Sequence, residues 1–289
     1  MNNSSINRIK ESIKLCVAAA VTGMTAAAYA TPTFGVNTAV IVGAANGHNF
    51  SADDIGATGS SYLWESGANE ISGHGYLNFN TFNLSGVQQN SGLVAFGPGH
   101  GLGDQFIMFA TYSFTTTYNA ALSGTNGFGK AGSMYDINPG MNFTLYAQAY
   151  SPTNTTFTPA QLGNSGSATA QLKGSPIELG QGSTLSSIIG AASFNAAGGT
   201  SFNPALHFTL TSAGQQFFYD PNPFYDLAFS SFTNTTAGFK IGTGSEAGTW
   251  AISPALGSVN FQAVPEPAGL ALVSLGLLAA GLAQKRRNS

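Results

Sequence analysis

Apolar and polar residues alternate along much of this chain. Between positions 106 and 114, Phe106, Met108, Ala110, Tyr112 and Phe114 fall on one side, and Ile107, Phe109, Thr111 and Ser113 on the other. Met141, Phe143, Leu145, Ala147 and Ala149 alternate with Asn142, Thr144, Tyr146, Gln148 and Tyr150. Leu206, Phe208 and Leu210 alternate with His207, Thr209 and Thr211. A period of two sends successive side chains to opposite faces of a strand, so each segment predicts a strand with one face in a core and one in water. Leu77 and Phe79 begin another such run, but Phe82 and Leu84 are out of phase with them. A bulge near Thr81 restores a common face. Trp250 and Ile252, then Val259, Phe261 and Ala263, predict closing strands. The separators are rich in Gly, Asn, Ser and Pro, the residues that turns require. No long segment repeats at helical spacing except at the two ends. The pattern predicts an all-β body over residues 31–263, a β-sandwich with the jelly roll as one form of it.

Two stretches of the body depart from simple alternation. Residues 151–203 are rich in Ser, Thr, Gly and Ala and predict exposed loops between strands. Residues 208–239 are crowded with aromatics, among them Phe217, Phe218, Tyr219, Phe224, Tyr225, Phe229 and Phe232. The plainer reading is a strand, a turn at Asp220–Pro223 and a second strand, with the rings buried, since aromatics dominate core burial. The sharper reading makes Tyr219, Tyr225, Asp220 and Asp226 a platform on which a sugar stacks. The pattern admits both.

The two ends are different in kind. Arg8, Lys10 and Lys14 precede an apolar run from Leu15 to Met24, and Ala28-Tyr29-Ala30 is a small-x-small site. This is the arrangement of a secretory signal peptide over residues 1–30, cut by signal peptidase after Ala30. The sole cysteine, Cys16, lies in that segment, so the body from Thr31 has no disulfide and no thiolate chemistry. At the other end, Ala268 to Ala283 carries no charge and Lys285, Arg286 and Arg287 follow almost at once. As a helix this run is about 24 Å long, slightly short of a bilayer core. A basic cluster beside it stays on the cytoplasmic side. Pro265 and Pro267 cannot extend the helix backwards, because proline lacks an amide hydrogen and its ring clashes with the preceding turn. The expected outcome is a short transmembrane helix with an extended segment in front of it.

A signal peptide, then Val264-Pro265-Glu266-Pro267, an Ala/Leu/Gly helix and a Lys-Arg-Arg tail resemble the PEP-CTERM sorting arrangement over residues 264–289. The resemblance implies that an exosortase recognises the Pro-Glu-Pro signal and removes the tail. The protein would then pass from a transient inner-membrane anchor to the cell surface or the extracellular matrix. The aromatic stretch, together with Phe50 to Gly56, Leu145 to Ala149 and the tail, resembles the flocculation-associated PEP-CTERM proteins over nearly the whole mature chain. That resemblance implies a role in floc and biofilm formation with an exopolysaccharide matrix as partner. It supplies no catalytic residues.

Charge narrows the picture further. The full chain has a formal net charge of −3. Its body holds Lys130, Lys173 and Lys240, no arginine and ten acids, so the body is more acidic than the precursor. An acidic, arginine-free surface excludes nucleic acid as a partner, because displacing phosphate counterions needs basic residues. Solubility then rests on Asn, Ser, Thr, Gln and Gly, which also suit hydrogen bonding to sugars.

No catalytic or cofactor motif emerges. The glycine-rich stretch Phe96–Asp104 lacks the lysine and following helix of a phosphate loop, and a strand pattern follows it instead. His48, His74, His100 and His207 show no close spacing on one element, and Asp53-Asp54 lacks the alternating acids of a calcium loop. No metal and no cofactor are expected, although an oxygen-lined calcium between loops is compatible with a sandwich. No Gly-x-Ser-x-Gly elbow is present. Sequons at Asn49, Asn83, Asn142, Asn154 and Asn234 match the frequency chance gives in so Asn- and Thr-rich a chain. The expectation is therefore a non-enzymatic exported matrix protein. The alternative is a secreted glycan-active enzyme, which needs two carboxylates about 5 to 9.5 Å apart.

Overall fold

The computed structural model describes residues 32–45, 47–89, 106–151, 155–184, 190–194, 200–225, 227–234 and 239–262. The expected signal peptide, the glycine-rich stretch with His100, Asn154, Asp226 and the expected sorting tail with its helix lie outside the described residues. Among the described residues no helix is long and apolar enough to cross a membrane.

The chain is all-β. It begins with β1 (Phe34–Asn37), the short α1 (Ala39–Val42), β2 (Asn49–Ala52), β3 (Asp54–Gly67), β4 (Glu70–Leu84) and β5 (Val87–Gln89). Next come β6 (Phe106–Tyr118), α2 (Ala120–Ser123), β7 (Met134–Ile137), β8 (Asn142–Ala149), β9 (Thr156–Thr158) and β10 (Thr169–Gln171). Then follow β11 (Ile177–Thr184), β12 (Gly190–Phe194), β13 (Thr200–Leu210), α3 (Ser212–Phe217) and β14 (Phe218–Asp220). The last are β15 (Leu227–Asn234), β16 (Phe239–Ile241) and β17 (Thr249–Gln262).

The ladders close on themselves. β3 pairs with β4, β4 with β6, β6 with β8 and β8 with β11, every pair antiparallel. β11 then pairs with β13, β13 with β15, β15 with β17, and β17 returns to β3. This is an up-and-down barrel, and it corrects the expected sandwich of two sheets. Alternation told which residues face inward, and that much stands. It could not tell whether the last long strand pairs with the first, and a closed ring removes both exposed edges. β7 and β12 fill the gap between β6 and β13 beyond the ends of β8 and β11.

Inside, large and small residues alternate around the ring. Phe106, Met108, Ala110, Tyr112 and Phe114 all point into the core. Gly75 faces Tyr112 and Gly73 faces Phe114 across the β4–β6 ladder. A β-carbon at Gly73 would stand 2.7 Å from the Phe114 ring, and one at Gly75 2.6 Å from the Tyr112 hydroxyl. The glycines thus make room for rings that fill the barrel. The predicted bulge is present: Gly56 pairs with Thr81 and Ala57 with Phe79, so Asn80 is skipped. Phe79 and Phe82 both end in the core, 2% and 1% exposed.

The loop-rich stretch 151–203 corrects a second expectation. It supplies β11, β12 and the start of β13, and the hairpin of β9 and β10 lies on the outer wall. Phe157 packs against Phe109 at 5.5 Å and against Tyr76 at 4.9 Å. Phe109 and Ile107 were expected on a water-facing side, but they are 0% and 5% exposed under this cover. Ser60 locks the cover in place: it donates to the Ile252 carbonyl at 2.9 Å and accepts from the Ala160 amide at 2.8 Å. Elsewhere on the wall, outward residues such as Gln181, Ser183, His207 and Thr209 are polar or exposed.

One end of the barrel is stoppered. β1 pairs with β2 and β14 in a small antiparallel sheet. Phe34 and Phe218 of that sheet meet Phe261 of β17 at 5.3 and 5.6 Å. Phe217 of α3 meets Phe106 of β6 at 5.8 Å. These rings are at most 2% exposed.

Candidate functional site

Concavities of the described structure differ in their chemistry. One lies within the barrel, lined by Leu63, Ile71, Phe114, Phe202 and Ile252 together with the Ser61–Tyr112 pair, whose hydroxyls are 2.5 Å apart. Its volume is about 40 Å³. That is room for a water or two and for no organic ligand. Burial pushes the Tyr112 hydroxyl up to about 12, with Ser61 drawing it down and Tyr76 adding a small upward push. The phenol is therefore a neutral structural group rather than an acid or base near neutrality.

A second concavity lies on the stopper and is open, with a volume of about 330 Å³. Its walls follow from the local sequence. Thr211 follows β13 and caps α3, its Oγ1 accepting from the Gly214 amide at 3.1 Å and donating to the Glu178 carbonyl at 2.6 Å. Gly214 seats the helix against β11, where a β-carbon would fall 1.8 Å from the Leu179 carbonyl oxygen. With Phe217 driven into the barrel mouth, Gln215 and Gln216 are left on the exposed side. β14 then alternates: Phe218 points inward at 1% exposure and Tyr219 outward at 43%. The Tyr219 ring lies flat over Gly35 of β1, where any β-carbon would strike it at 2.6 Å. Pro221 and Asn222 of the Asp220–Pro223 turn and Phe224 beyond it complete the wall.

The groove thus presents carboxamides, a serine hydroxyl, a phenol and aromatic faces. No charged side chain is among its described lining residues. Such a surface can stack a planar or pyranose face on a ring and exchange hydrogen bonds with hydroxyls. It offers nothing that would hold a metal, and among the described residues no group of three metal-ligating side chains comes together.

The structure divides the four candidates drawn from the sequence. Tyr219 is in the groove. Tyr225 is a tether: its hydroxyl donates to the Thr33 carbonyl at 2.8 Å and its ring packs against Phe224. Burial raises its pKa first, and the nearby Asp220 carboxylate adds to the rise. Asp220 is exposed on β14 beside the groove, opposite Gly35. Asp226 lies outside the described residues. The sequence reading also predicted a strand running straight to the Asp220 turn, and α3 replaces part of it. That correction matters, because the helix brings Ser212, Gln215 and Gln216 to the groove. Thr211 followed by a small polar run was the available sign of a cap.

Comparison of the chain with protein families, with curated proteins and with solved structures finds no match.

Proposed function

We propose that this protein is an exported cell-surface or extracellular-matrix component that promotes flocculation and biofilm formation by binding exopolysaccharide in the Tyr219 groove. The observation that carries the proposal is the groove itself: an exposed ring beside carboxamides, free of charge, on a rigidly stoppered barrel. Neutral polar groups with an aromatic platform suit a neutral sugar, whose polar rim and apolar face need both.

The ends of the chain support the same reading. Residues 1–30 direct export and are removed by signal peptidase. The segment from Val264 to Pro267, the apolar run after it and the basic Lys285, Arg286 and Arg287 anchor the precursor in the inner membrane until an exosortase cuts. Binding rather than hydrolysis is favoured because the described lining of the groove holds no carboxylate, while glycoside cleavage needs a placed pair.

Purified protein and the exopolysaccharide of the producing cells supply the test. Wild type should bind without shortening the polysaccharide, and Tyr219→Ala should lose at least about tenfold in affinity, a ring contact of about 1.4 kcal/mol. Added salt should change binding little, since no charge is screened. Release of fragments at catalytic rates refutes the binding role in favour of a glycan-active enzyme. In cells, flocculation that survives deletion of the gene refutes the role altogether.

A further inference from the structure

The outer wall at the end of the barrel away from the stopper carries a second aromatic groove, separate from the one at Tyr219. Trp64 on β3 stands abreast of Ser72 on β4 and Thr115 on β6 in the ladder register. One step along, Tyr62, His74 and Ser113 stand abreast in the same way. Alternation turns all six outward. The two tyrosine and tryptophan rings are stacked, 6.1 Å apart and 27° from parallel, and His74 packs against Trp64 at 5.6 Å.

The wall hairpin buries the far side of this stack. Tyr62 is 5% exposed in a cluster with Ala160 and Ala168, and His74 Nε2 lies 2.9 Å from the Ser167 carbonyl oxygen. Trp64, like His74, is left partly open. It borders a groove of about 230 Å³ with Ser72, Ser113, Thr115, Pro139 and Gly140.

The groove is built rather than incidental. Ser72 and Thr115 hydroxyls are 2.9 Å apart and so already oriented by each other. The Pro139–Gly140 wall is pinned on both sides. The Asn138 amide donates to the Thr115 carbonyl at 2.8 Å, and the Asn138 carbonyl accepts from Thr184 Oγ1 at 3.0 Å. Thr117 Oγ1 donates to the Asn138 side chain at 2.8 Å. No charged residue is among the described lining, as in the Tyr219 groove. The shared chemistry is a ring face with hydroxyls held ready, at little ordering cost on binding.

The two grooves are at opposite ends of the barrel. From Trp64 to Ile55, near the stopper, β3 spans about 30 Å at about 3.3 Å per residue. A sugar unit in one groove cannot reach the other. We propose that the Trp64 groove is a second, independent site for neutral glycan, so that one protein molecule joins two polysaccharide strands. The proposal rests on the exopolysaccharide reading and adds the valence that a cross-linker needs. Two weak sites on one rigid body hold a network far more firmly than either alone, because the second contact is made at high effective concentration.

The test uses the purified protein and the exopolysaccharide of the producing cells, free and coated on beads. Wild type should aggregate the beads. Trp64→Ala and Ser113→Arg should each weaken aggregation at least about tenfold while still capturing free polysaccharide through the other groove. Ser113 is exposed on the wall, so its substitution blocks the groove without entering the core even if removal of Trp64 loosens the hairpin. Trp64→Phe should restore part of the aggregation. A direct reading comes from tryptophan emission, since Trp250 is 2% exposed and Trp64 is the open one. In Tyr219→Ala, free polysaccharide should still shift that emission. Unchanged aggregation by Ser113→Arg, or a silent tryptophan in Tyr219→Ala, overturns the second site and leaves the first intact. Failure of the wild type to bind polysaccharide at all overturns the underlying reading and this inference with it.

Discussion

Phe218 and Tyr219 are neighbours whose side chains have opposite fates, and truncating each in turn tests the whole arrangement of the stopper. Phe218 is 1% exposed and meets four rings: Phe34 at 5.8 Å, Phe217 at 4.8 Å, Phe224 at 5.2 Å and Phe261 at 5.6 Å. Phe→Ala in a core costs about 3 to 5 kcal/mol, from lost burial and the cavity left behind. Four ring partners keep Phe218→Ala well inside that range, because aromatic pairs add beyond area alone. For a domain of this size each kcal/mol moves Tm by about 2 to 4 °C, so a drop of about 8 to 16 °C is expected for about 4 kcal/mol. Tyr219 is 43% exposed and rests on the backbone of Gly35. Tyr219→Ala should cost less than about 1 kcal/mol, a surface-type change, while losing glycan binding at its own groove. Calorimetry and urea titration on both variants, followed by near-ultraviolet circular dichroism, give the comparison. A loss below about 1 kcal/mol for Phe218→Ala refutes the stopper as a packed core. Equal losses for the two variants refute the inward–outward assignment of β14.

Other consequences follow from single contacts. Gly75→Ala should destabilise by about 1 to 3 kcal/mol, because its β-carbon would stand 2.3 Å from the Ser60 carbonyl oxygen; a melt unchanged from wild type contradicts the close approach of β3 and β4. Thr211→Ala removes the cap of α3 and should cost about 1 kcal/mol, and, by loosening Gln215 and Gln216, weaken polysaccharide binding; titration of the variant reads both. Tyr112 ties stability to alkaline pH. Its hydroxyl holds its proton to about 12 in the folded state against 10.0 for the ordinary group. The folded state therefore binds more protons between those values, and stability is complete below pH 10 and falls as pH rises toward 12. Urea midpoints across that window should decline more steeply in wild type than in Tyr112→Phe, and parallel slopes would remove Tyr112 as the cause.

How much of the candidate site could be read from the sequence depends on what each residue's position required. Tyr219 was legible, because it sits in an aromatic run beside a Pro-rich turn. Gln215 and Gln216 were not, because a six-residue helix has too few positions to show a period. Tyr225 looked equivalent to Tyr219 in the sequence, yet its hydroxyl is engaged by the Thr33 carbonyl, 192 positions away just ahead of β1. Trp64, Ser72 and Thr115 carried no common signal, since they belong to three strands and become neighbours only through register.

Period-two alternation was enough to mark a β protein and the apolar face of β4, β6, β8, β13 and β17, because side-chain direction along a strand repeats every two residues whatever the partner. It also marked the bulge at Asn80–Thr81, where the phase of the apolar residues changes. That β17 returns to β3, that the hairpin of β9 and β10 buries Ile107 and Phe109, and that α3 frames a groove became visible only in the folded chain. Pairing, closure and cover depend on contacts between residues far apart in the chain. Local pattern constrains which surfaces need burial but is silent on what will bury them.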